Sequence, residues 1–192
     1  MPHLTPVWSA SSCKPMVHRI IDTNVPLTAA GKNAEASPHC ELECEDVVNR
    51  VLKGEIEVVL DDADSIITEY RNTMHPDPNG TRAGQFLMYL FLNKHRRSRI
   101  QRVKLEKNDH GHFIDYPDNG DEWLTEVPRC ERFDPDDKIW VALALRFKRE
   151  TGRDAPIVNA ADRCWLAFES HLEAAGVKLE VLCRDERQRN GN

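Results

Sequence analysis

Short apolar runs alternate with stretches of helical periodicity along most of the chain, and this alternation limits the possible folds more than any other feature. The runs predicted as strands span residues 17–21, 56–60, 100–105, 156–158 and 177–182. Strands that are separated by helices pair in parallel, because each crossover returns the chain to the end where the previous strand began. We therefore predict an α/β fold, in which helices on both faces sandwich a parallel central sheet.

Apolar residues at helical spacing predict helices between these strands. The predicted helices cover residues 41–53, 62–75, 83–93, 134–151 and 162–175. Gly54, Gly152 and Gly176 supply stop signals at three of the ends. The charged and irregular segment 94–132 interrupts the alternation and is predicted to be an insertion in the middle of the chain, with a short hairpin at 112–116.

The 192 residues, of which 40% are hydrophobic, suffice for one domain with a sizeable core. Residues 1–15 are predicted to be a flexible extension, residues 16–183 the domain, and residues 184–192 a charged tail. Because no apolar run of the sequence reaches the length of a membrane span, no membrane partner is predicted. The net charge of −6 argues against nucleic-acid binding through overall charge, although acids around a metal ion would themselves lower it.

Six cysteines raise the question of disulfides and metal binding. Residues 1–15 lack both the apolar core of a signal peptide and the Arg-rich pattern of a transit peptide, so we expect a cytoplasmic protein with reduced thiols. His39, Cys40 and Cys44 lie close together, but no second pair of ligands follows at the spacing of zinc sites. The sequence therefore does not favour a zinc site.

Asp22 ends the first apolar run and is followed by Thr23 and Asn24. Ligands of α/β proteins gather at the carboxyl ends of the strands, so this carboxylate should stand at the mouth of a cleft, where it is desolvated and needs a partner. Three later acids occupy places from which they can reach the same cleft: Glu69, Asp137 and Asp162. Because hard divalent cations prefer oxygen ligands, the four acids together predict one metal site.

The order and spacing of these residues resemble those of PIN-domain proteins, a family of metal-dependent nucleases. The resemblance covers residues 17–182 apart from the middle section. In that family the first acid ends strand one and is followed by Thr and Asn, as in Asp22-Thr23-Asn24. The second is a Glu in a helix after strand two, and Glu69 matches it.

The later acids of this chain also resemble the family pattern. The third acid of the family opens an Ala-rich helix, which Asp137 matches, and the fourth follows a short strand and a small polar residue, which Asp162 matches after Asn159. Many members carry a further acid two positions after the fourth. This chain has Cys164 there, a difference that implies weaker binding of a second metal ion. The segment 94–132 is also longer than in the smallest members.

The resemblance implies a PIN-like fold and a ribonuclease that hydrolyses RNA phosphodiester bonds with Mg²⁺ or Mn²⁺. Such ions make a bound water nucleophilic and stabilise the charge that develops on the phosphate. The implied catalytic residues and metal ligands, direct or through water, are Asp22, Asp137 and Asp162, with Glu69 as a ligand or as the residue that orients water. The implied supporting residues are Thr23, Asn24 and Asn159.

The same resemblance implies an RNA substrate and three biological settings, namely a toxin of a toxin–antitoxin pair, an RNA-processing enzyme or a defence nuclease. A toxin would have an inhibitory protein partner. Helical surfaces of the family also form homodimers, although the apolar stripe of the helix at 83–93 is more simply explained as core.

The densest basic run follows the helix at 83–93. Its cations and those just after it are Lys94, Arg96, Arg97, Arg99 and Arg102. They are predicted to contact the phosphates of a nucleic acid in a salt-dependent manner. A solvated helix end, whose cations suit the helix dipole, explains the same run equally well.

Each acid taken alone also has a structural explanation. With Asp134 as N-cap, Asp137 falls at the third helical position, where an acid suits the dipole. Asp162 fits a plain N-cap and Glu69 a solvated helix residue. The alternative function is therefore a non-catalytic PIN-like module that binds nucleic acid or a protein partner. A dehalogenase-like phosphotransferase fits less well, because Asn24 stands where that chemistry needs a second Asp.

Overall fold

Five strands form one sheet in the computed structural model, which describes residues 17–34, 36–160 and 162–184. They are β1 (Val17–Ile21), β2 (Ile56–Asp61), β3 (Ile100–Val103), β4 (Ile157–Asn159) and β5 (Leu179–Val181). The strand order is β3-β2-β1-β4-β5, and every neighbouring pair is parallel. The prediction of an α/β fold with a parallel central sheet is confirmed.

Helices flank the sheet. They are α1 (Asn24–Ala29), α2 (Pro38–Lys53), α3 (Ser65–Thr73), α4 (Arg82–Asn93), α5 (Lys138–Thr151), α6 (Arg163–Ala167) and α7 (Glu169–Ala174). α1, α2 and α4 pack against one another, whereas α5 packs on β2 and β3. Right-handed crossovers place α2 and α4 on one face of the sheet and α5 on the other. All six residues of β2 are accordingly buried, as in a strand covered on both faces.

The order of the strands creates a cleft at the centre of the sheet. β1 is the middle strand, and the chain adds β2 and β3 on one side of it before it adds β4 and β5 on the other. The connections that leave β1 and β4 therefore diverge to opposite faces, and a crevice opens outside the carboxyl ends of these two strands. Ligands of open α/β sheets bind at this switch point.

The last predicted helix, at 162–175, is interrupted. Phe168 separates α6 from α7, because its backbone (φ −97°, ψ 5°) lies outside the helical range. The ring of Phe168 is buried and its centroid lies 5.2 Å from that of Phe133. The apolar periodicity continues through this break, which is why the sequence predicted a single helix.

Residues 104–134, between β3 and α5, carry little regular structure. A 3-10 turn forms at Gly120–Glu122. Two isolated antiparallel bridges join Lys107 to Phe113 and Leu124 to Arg132. The chain folds back at 112–116 as predicted, because the backbone N–H of Asn108 donates to the carbonyl of His112 and that of Ile114 donates to the carbonyl of Glu106, each at 2.9 Å. This hairpin is limited to the first bridge. The rings of Tyr116, Trp123 and Phe133 pack together with centroids 5.5–6.5 Å apart and give the segment a small apolar core.

Two disulfides crosslink distant parts of the chain, whereas the sequence predicted reduced thiols. Cys40 pairs with Cys183 and Cys130 pairs with Cys164, each with a Cα–Cα distance of 5.2 Å. The partners are 143 and 34 residues apart, so only the fold brings them together. The prediction is therefore wrong for these four residues, and the argument for a cytoplasmic location that rested on it no longer holds.

The predicted extension 1–15 lies outside the described residues, and so does the predicted tail apart from Arg184. Arg184 pairs with Glu169. Among the helices described, none combines the length and the apolar composition that crossing a bilayer requires.

Candidate metal centre

Asp22 directly follows β1 and is only 7% exposed. Its backbone N–H donates to the carbonyl of Val158 at 2.9 Å, which ties the end of β1 to β4. Its Oδ1 accepts a hydrogen bond from the backbone N–H of Asn24 at 3.2 Å, and its Oδ2 accepts one from Nδ2 of Asn159 at 2.9 Å. These contacts hold the carboxylate at the switch point of the sheet.

Burial raises the pKa of Asp22 from its ordinary value of 3.8 to about 7. The hydrogen bonds from Asn159 and Asn24 oppose this shift, whereas the negative charges of Asp162 and Glu69 add to it. A carboxyl group whose ionised form is disfavoured in this way, and which lies in a cleft, is a candidate for function.

Asn24, the first residue of α1, and Asn159, the last residue of β4, support Asp22. Asn24 Oδ1 accepts a hydrogen bond from the backbone N–H of Ala160 at 2.9 Å, so the turns after β1 and β4 are joined. Asn159 is fully buried, and its Oδ1 accepts no hydrogen bond from residues 17–34, 36–160 or 162–184. A buried carbonyl oxygen without a donor indicates a place for a water molecule or a ligand.

Glu69 reaches the cleft from α3. Its Oε1 accepts a hydrogen bond from Oγ1 of Thr23 at 3.1 Å, which links the helix to the turn after β1. Burial raises the pKa of Glu69, the bond from Thr23 lowers it, and the charges of Asp136 and Asp134 raise it. Glu69 therefore faces other acids in the cleft and is not simply a solvated helix residue.

Asp137 ends a 3-10 turn, Pro135–Asp137, immediately before α5. Asp134 caps this turn through its Oδ1, which accepts from the backbone N–H of Asp136 at 2.9 Å. Asp137 itself makes no side-chain capping bond to the described start of α5. Burial raises its pKa from 3.8 to about 9. The charges that add to this effect belong to Asp22, Asp162, Asp134 and Glu69.

Asp162 precedes α6, and its Oδ1 accepts a hydrogen bond from the backbone N–H of Cys164 at 2.7 Å. The side chain therefore is an N-cap, as the structural explanation expected. Its charge nevertheless reaches the cleft, because it raises the pKa of both Asp22 and Asp137. Cys164 is held in place by its disulfide to Cys130.

The four acids interact through their charges but do not form a tight cage. Within the part of the chain that the structure describes, no three carboxylates have oxygens within 4.8 Å of one another; the ligand atoms that are so close belong to Cys40, Cys44 and Cys183. Mg²⁺ keeps several of its waters in protein sites. An ion held by these acids would accordingly be bound in part through water.

Two acids that the sequence pattern did not assign to the site contribute to its charge. Asp134 raises the pKa of Glu69 and of Asp137, and Asp136 raises that of Glu69. Both belong to the run Asp134-Pro135-Asp136-Asp137, in which three acids within four residues were the available signal. The capping role of Asp134 concealed this second effect.

The predicted nucleic-acid contacts divide between the two ends of the sheet. Three of them immediately precede β3, at the amino-terminal end of the parallel sheet: Arg96, Arg97 and Arg99. Arg99 donates to the carbonyl of Lys53 at 3.1 Å, just before β2 begins. Lys94 and Arg102 both pair with Asp64. A nucleic acid would have to run along the side of the molecule to reach both this basic run and the acids.

A cavity of about 440 Å³ opens in the middle segment. Pro135 and Lys138, on either side of Asp137, line it together with Phe113 and Tyr116. The ammonium group of Lys138 lies 5.4 Å from the centroid of the Tyr116 ring. The cavity therefore combines aromatic side chains with the ion pair of Lys138 and Asp121, close in sequence to Asp137.

Comparisons of the chain with protein-family models, curated proteins and solved structures found no match. The resemblance to PIN-domain nucleases therefore stays a prediction from the sequence. A functional assignment has to rest on the position and the electrostatics of the acids.

Proposed function

We propose that the chain is a PIN-like, divalent-metal-dependent ribonuclease with Mg²⁺ or Mn²⁺ as its cofactor. The observation that carries the proposal is the burial of Asp22 at the switch point of the sheet, where it and Asp137 have pKa values raised to about 7 and about 9. Carboxylates that repel one another in a buried cleft are stabilised when a cation binds between them.

The donor set fits a hard divalent ion. The residues that would hold it, directly or through water, are Asp22, Glu69, Asp137 and Asp162. All offer carboxylate oxygens, which Mg²⁺ and Mn²⁺ prefer. The Oδ1 of Asn159, which accepts no hydrogen bond from a described residue, adds a buried oxygen behind Asp22 that a coordinated water can satisfy.

The side chains around the acids position them for this chemistry. When bound, the metal ion supplies a nucleophilic water and stabilises charge on the phosphate. Asn159 and the backbone of Asn24 fix the two oxygens of Asp22. Thr23 orients Glu69 by donating to its Oε1, which leaves the other oxygen available to a water. Support of this kind typically contributes about 10- to 100-fold in metal affinity or activity.

The proposal that RNA is the substrate rests on the resemblance to PIN-domain nucleases. The cavity lined by Pro135 and Lys138 supports a single-stranded substrate, because an unpaired base can stack on aromatic side chains such as Phe113 and Tyr116. A protein inhibitor and a homodimer belong to the same proposal as partners. The toxin, processing and defence settings remain open within it.

A cleavage assay tests the proposal. Labelled single-stranded RNA, folded RNA and single-stranded DNA are incubated with the full chain in Mn²⁺, Mg²⁺ or EDTA. We expect metal-dependent cleavage of RNA that falls at least about 100-fold in Asp22→Asn, since the variant loses a metal ligand. Asp46→Asn, which changes an exposed acid on α2, is the matched control and should retain the activity.

The second function is a non-catalytic module that binds nucleic acid or a protein. It is favoured by Cys164, which is in a disulfide where the family often has a further acid, and by the spacing of the carboxylates. Absence of cleavage together with Mn²⁺ affinity that does not depend on Asp22 would select this function over the nuclease.

A further inference from the structure

Three cysteines form a second cluster of ligand atoms. The sulfur atoms of Cys40, Cys44 and Cys183 all lie within 4.8 Å of one another, and all three residues are buried. Cys40 and Cys44 are one helical turn apart on α2, so their side chains share a face of the helix. Cys183 comes from the segment after β5 and is bonded to Cys40.

The Cys40–Cys183 disulfide does not explain why the sulfur of Cys44 lies beside it. A disulfide between Cys40 and Cys183 needs two cysteines, yet Cys44 places a third sulfur beside them. Thiolates that lie about 2.3 Å from a tetrahedral Zn²⁺ are about 3.8 Å apart. The bonded sulfurs of Cys40 and Cys183 would therefore separate after reduction, and the sulfur of Cys44 already lies within 4.8 Å of both. Cys183 is the distant ligand that spacing along the sequence could not reveal, since it follows Cys40 by 143 residues.

The surroundings of the cluster suit a cation. Cys40 lies in the first turn of α2, where the helix dipole stabilises a thiolate. Glu43 accepts a hydrogen bond from the backbone N–H of Cys183 at 2.8 Å, so a carboxylate lies next to the sulfurs. Three thiolates leave one position of a tetrahedron, which a water can fill.

We propose that, once the Cys40–Cys183 disulfide is reduced, Cys40, Cys44 and Cys183 form a three-thiolate site for a soft divalent metal ion such as Zn²⁺. A dithiol or phosphine reductant supplies two electrons to the disulfide and is itself oxidised, while two protons complete the two new thiols. Metal binding then releases three protons from the three thiols. The disulfide and the metal ion are thus two alternative crosslinks between α2 and the segment after β5.

The test uses Co²⁺ as a spectroscopic probe in place of Zn²⁺. The purified full chain is reduced with a phosphine without oxygen and titrated with Co²⁺. We expect one equivalent to bind with thiolate-to-cobalt charge-transfer absorption, which Zn²⁺ then abolishes by displacement. The oxidised chain should show no such absorption. The acid cluster does not interfere, because carboxylates bound to Co²⁺ produce no thiolate absorption, and the result is therefore independent of the proposed nuclease site.

Cysteine variants assign the absorption to the cluster. Cys44→Ser should weaken the binding at least about 100-fold, because a ligand is worth at least as much as its supporting residues. Cys130→Ser and Cys13→Ser are matched controls that should retain it. The oxidised Cys44→Ser chain keeps the Cys40–Cys183 disulfide, so its melting curve shows whether the variant folds. No charge-transfer absorption in the reduced chain, or an unchanged absorption in a folded Cys44→Ser chain, would overturn the proposal.

Discussion

At the scale of single residues, Asp22 has the strongest effect on the pH dependence of stability, because its carboxyl group is both buried and close to other acids. The two hydrogen bonds that it accepts do not compensate for its burial, and its pKa stays near 7. A group of this kind lowers the stability of the metal-free protein at neutral pH. The carboxylates of Asp22, Glu69, Asp137 and Asp162 repel one another, and a bound cation can reduce this repulsion.

The first prediction concerns pH in the presence of EDTA. The folded chain keeps protons on Asp22 up to about pH 7 and on Asp137 up to about pH 9, whereas the unfolded chain loses them near pH 3.8. The folded state therefore binds more protons across this window, and the free energy of unfolding must fall as the pH rises through it. Urea unfolding at several pH values measures this slope. Excess Mg²⁺ should flatten it, and a slope of opposite sign would contradict the raised pKa values.

The second prediction is that Asp22→Asn stabilises the metal-free protein. The variant removes the charge, and the amide of Asn159 can turn to present its Oδ1 to the new side chain. At pH 8 in EDTA we expect a gain on the order of 1–3 kcal/mol in the free energy of unfolding, shrinking towards pH 5, where Asp22 is already protonated. Chemical denaturation at the two pH values checks this, with Asp46→Asn as the control expected to change stability little. A variant that is less stable than the parent at pH 8 would refute it.

At the scale of elements, the Cys130–Cys164 disulfide links the middle segment to α6. Residues 104–134 have little regular structure, and the bridge fastens them to the start of α6, where Asp162 caps the helix. The loop that the bridge closes spans 34 residues. The disulfide therefore connects the least regular segment to Cys164, two residues after Asp162.

The third prediction concerns the Cys130–Cys164 disulfide. Cys130→Ser should lower the free energy of unfolding by about 4 kcal/mol, the contribution typical of a disulfide that closes a loop of this length. The same substitution should speed proteolytic cleavage within 104–134. Calorimetry and limited proteolysis measure the two effects. Cys130→Ser/Cys164→Ser should lose no more stability than either single variant, and additive losses would show that the bridge is not the cause.

The elements themselves were largely predictable from the sequence, since the β-branched runs and the apolar periodicity of α2, α4 and α5 are local signals. The boundaries of β1 were predicted as found. The break at Phe168 was not, because it depends on the packing of that ring against Phe133. The positions of Asp22, Glu69 and Asp162 relative to their strands and helices were predictable for the same local reason.

At the scale of the whole molecule, the strand order places the acids together and the basic run apart from them. Alternation of strands and helices predicts a parallel sheet, but it does not give the order β3-β2-β1-β4-β5, which depends on pairing between distant residues. The order determines that β1 and β4 are neighbours and that Asp22 meets Asn159. The parallel direction of the strands separates Arg96 and Arg97, which precede β3, from Asp22, which follows β1 at the opposite end of the sheet.

The fourth prediction uses this separation. Arg96→Ala/Arg97→Ala should leave the cleavage of a short single-stranded RNA within about twofold of the parent, because those side chains lie at the other end of the sheet. Binding of a longer RNA should weaken, and the slope of its salt dependence should decrease by about one unit for each phosphate that the variant no longer neutralises. Cleavage rates and salt titrations with the two RNA lengths check this. Loss of short-RNA cleavage would contradict the separation of the basic run from the acids.

Calorimetric titration of the oxidised full chain with Mn²⁺ tests most directly whether the acids form a metal site, and the Cys40–Cys183 disulfide keeps the sulfur cluster out of the measurement. We predict saturable binding at about pH 7.5 with release of protons to the buffer, because the ion displaces protons from carboxyls such as Asp137. Asp22→Asn should lose this binding and Asp46→Asn should keep it. No binding by the parent chain, or equal binding by Asp22→Asn, would contradict the metal site.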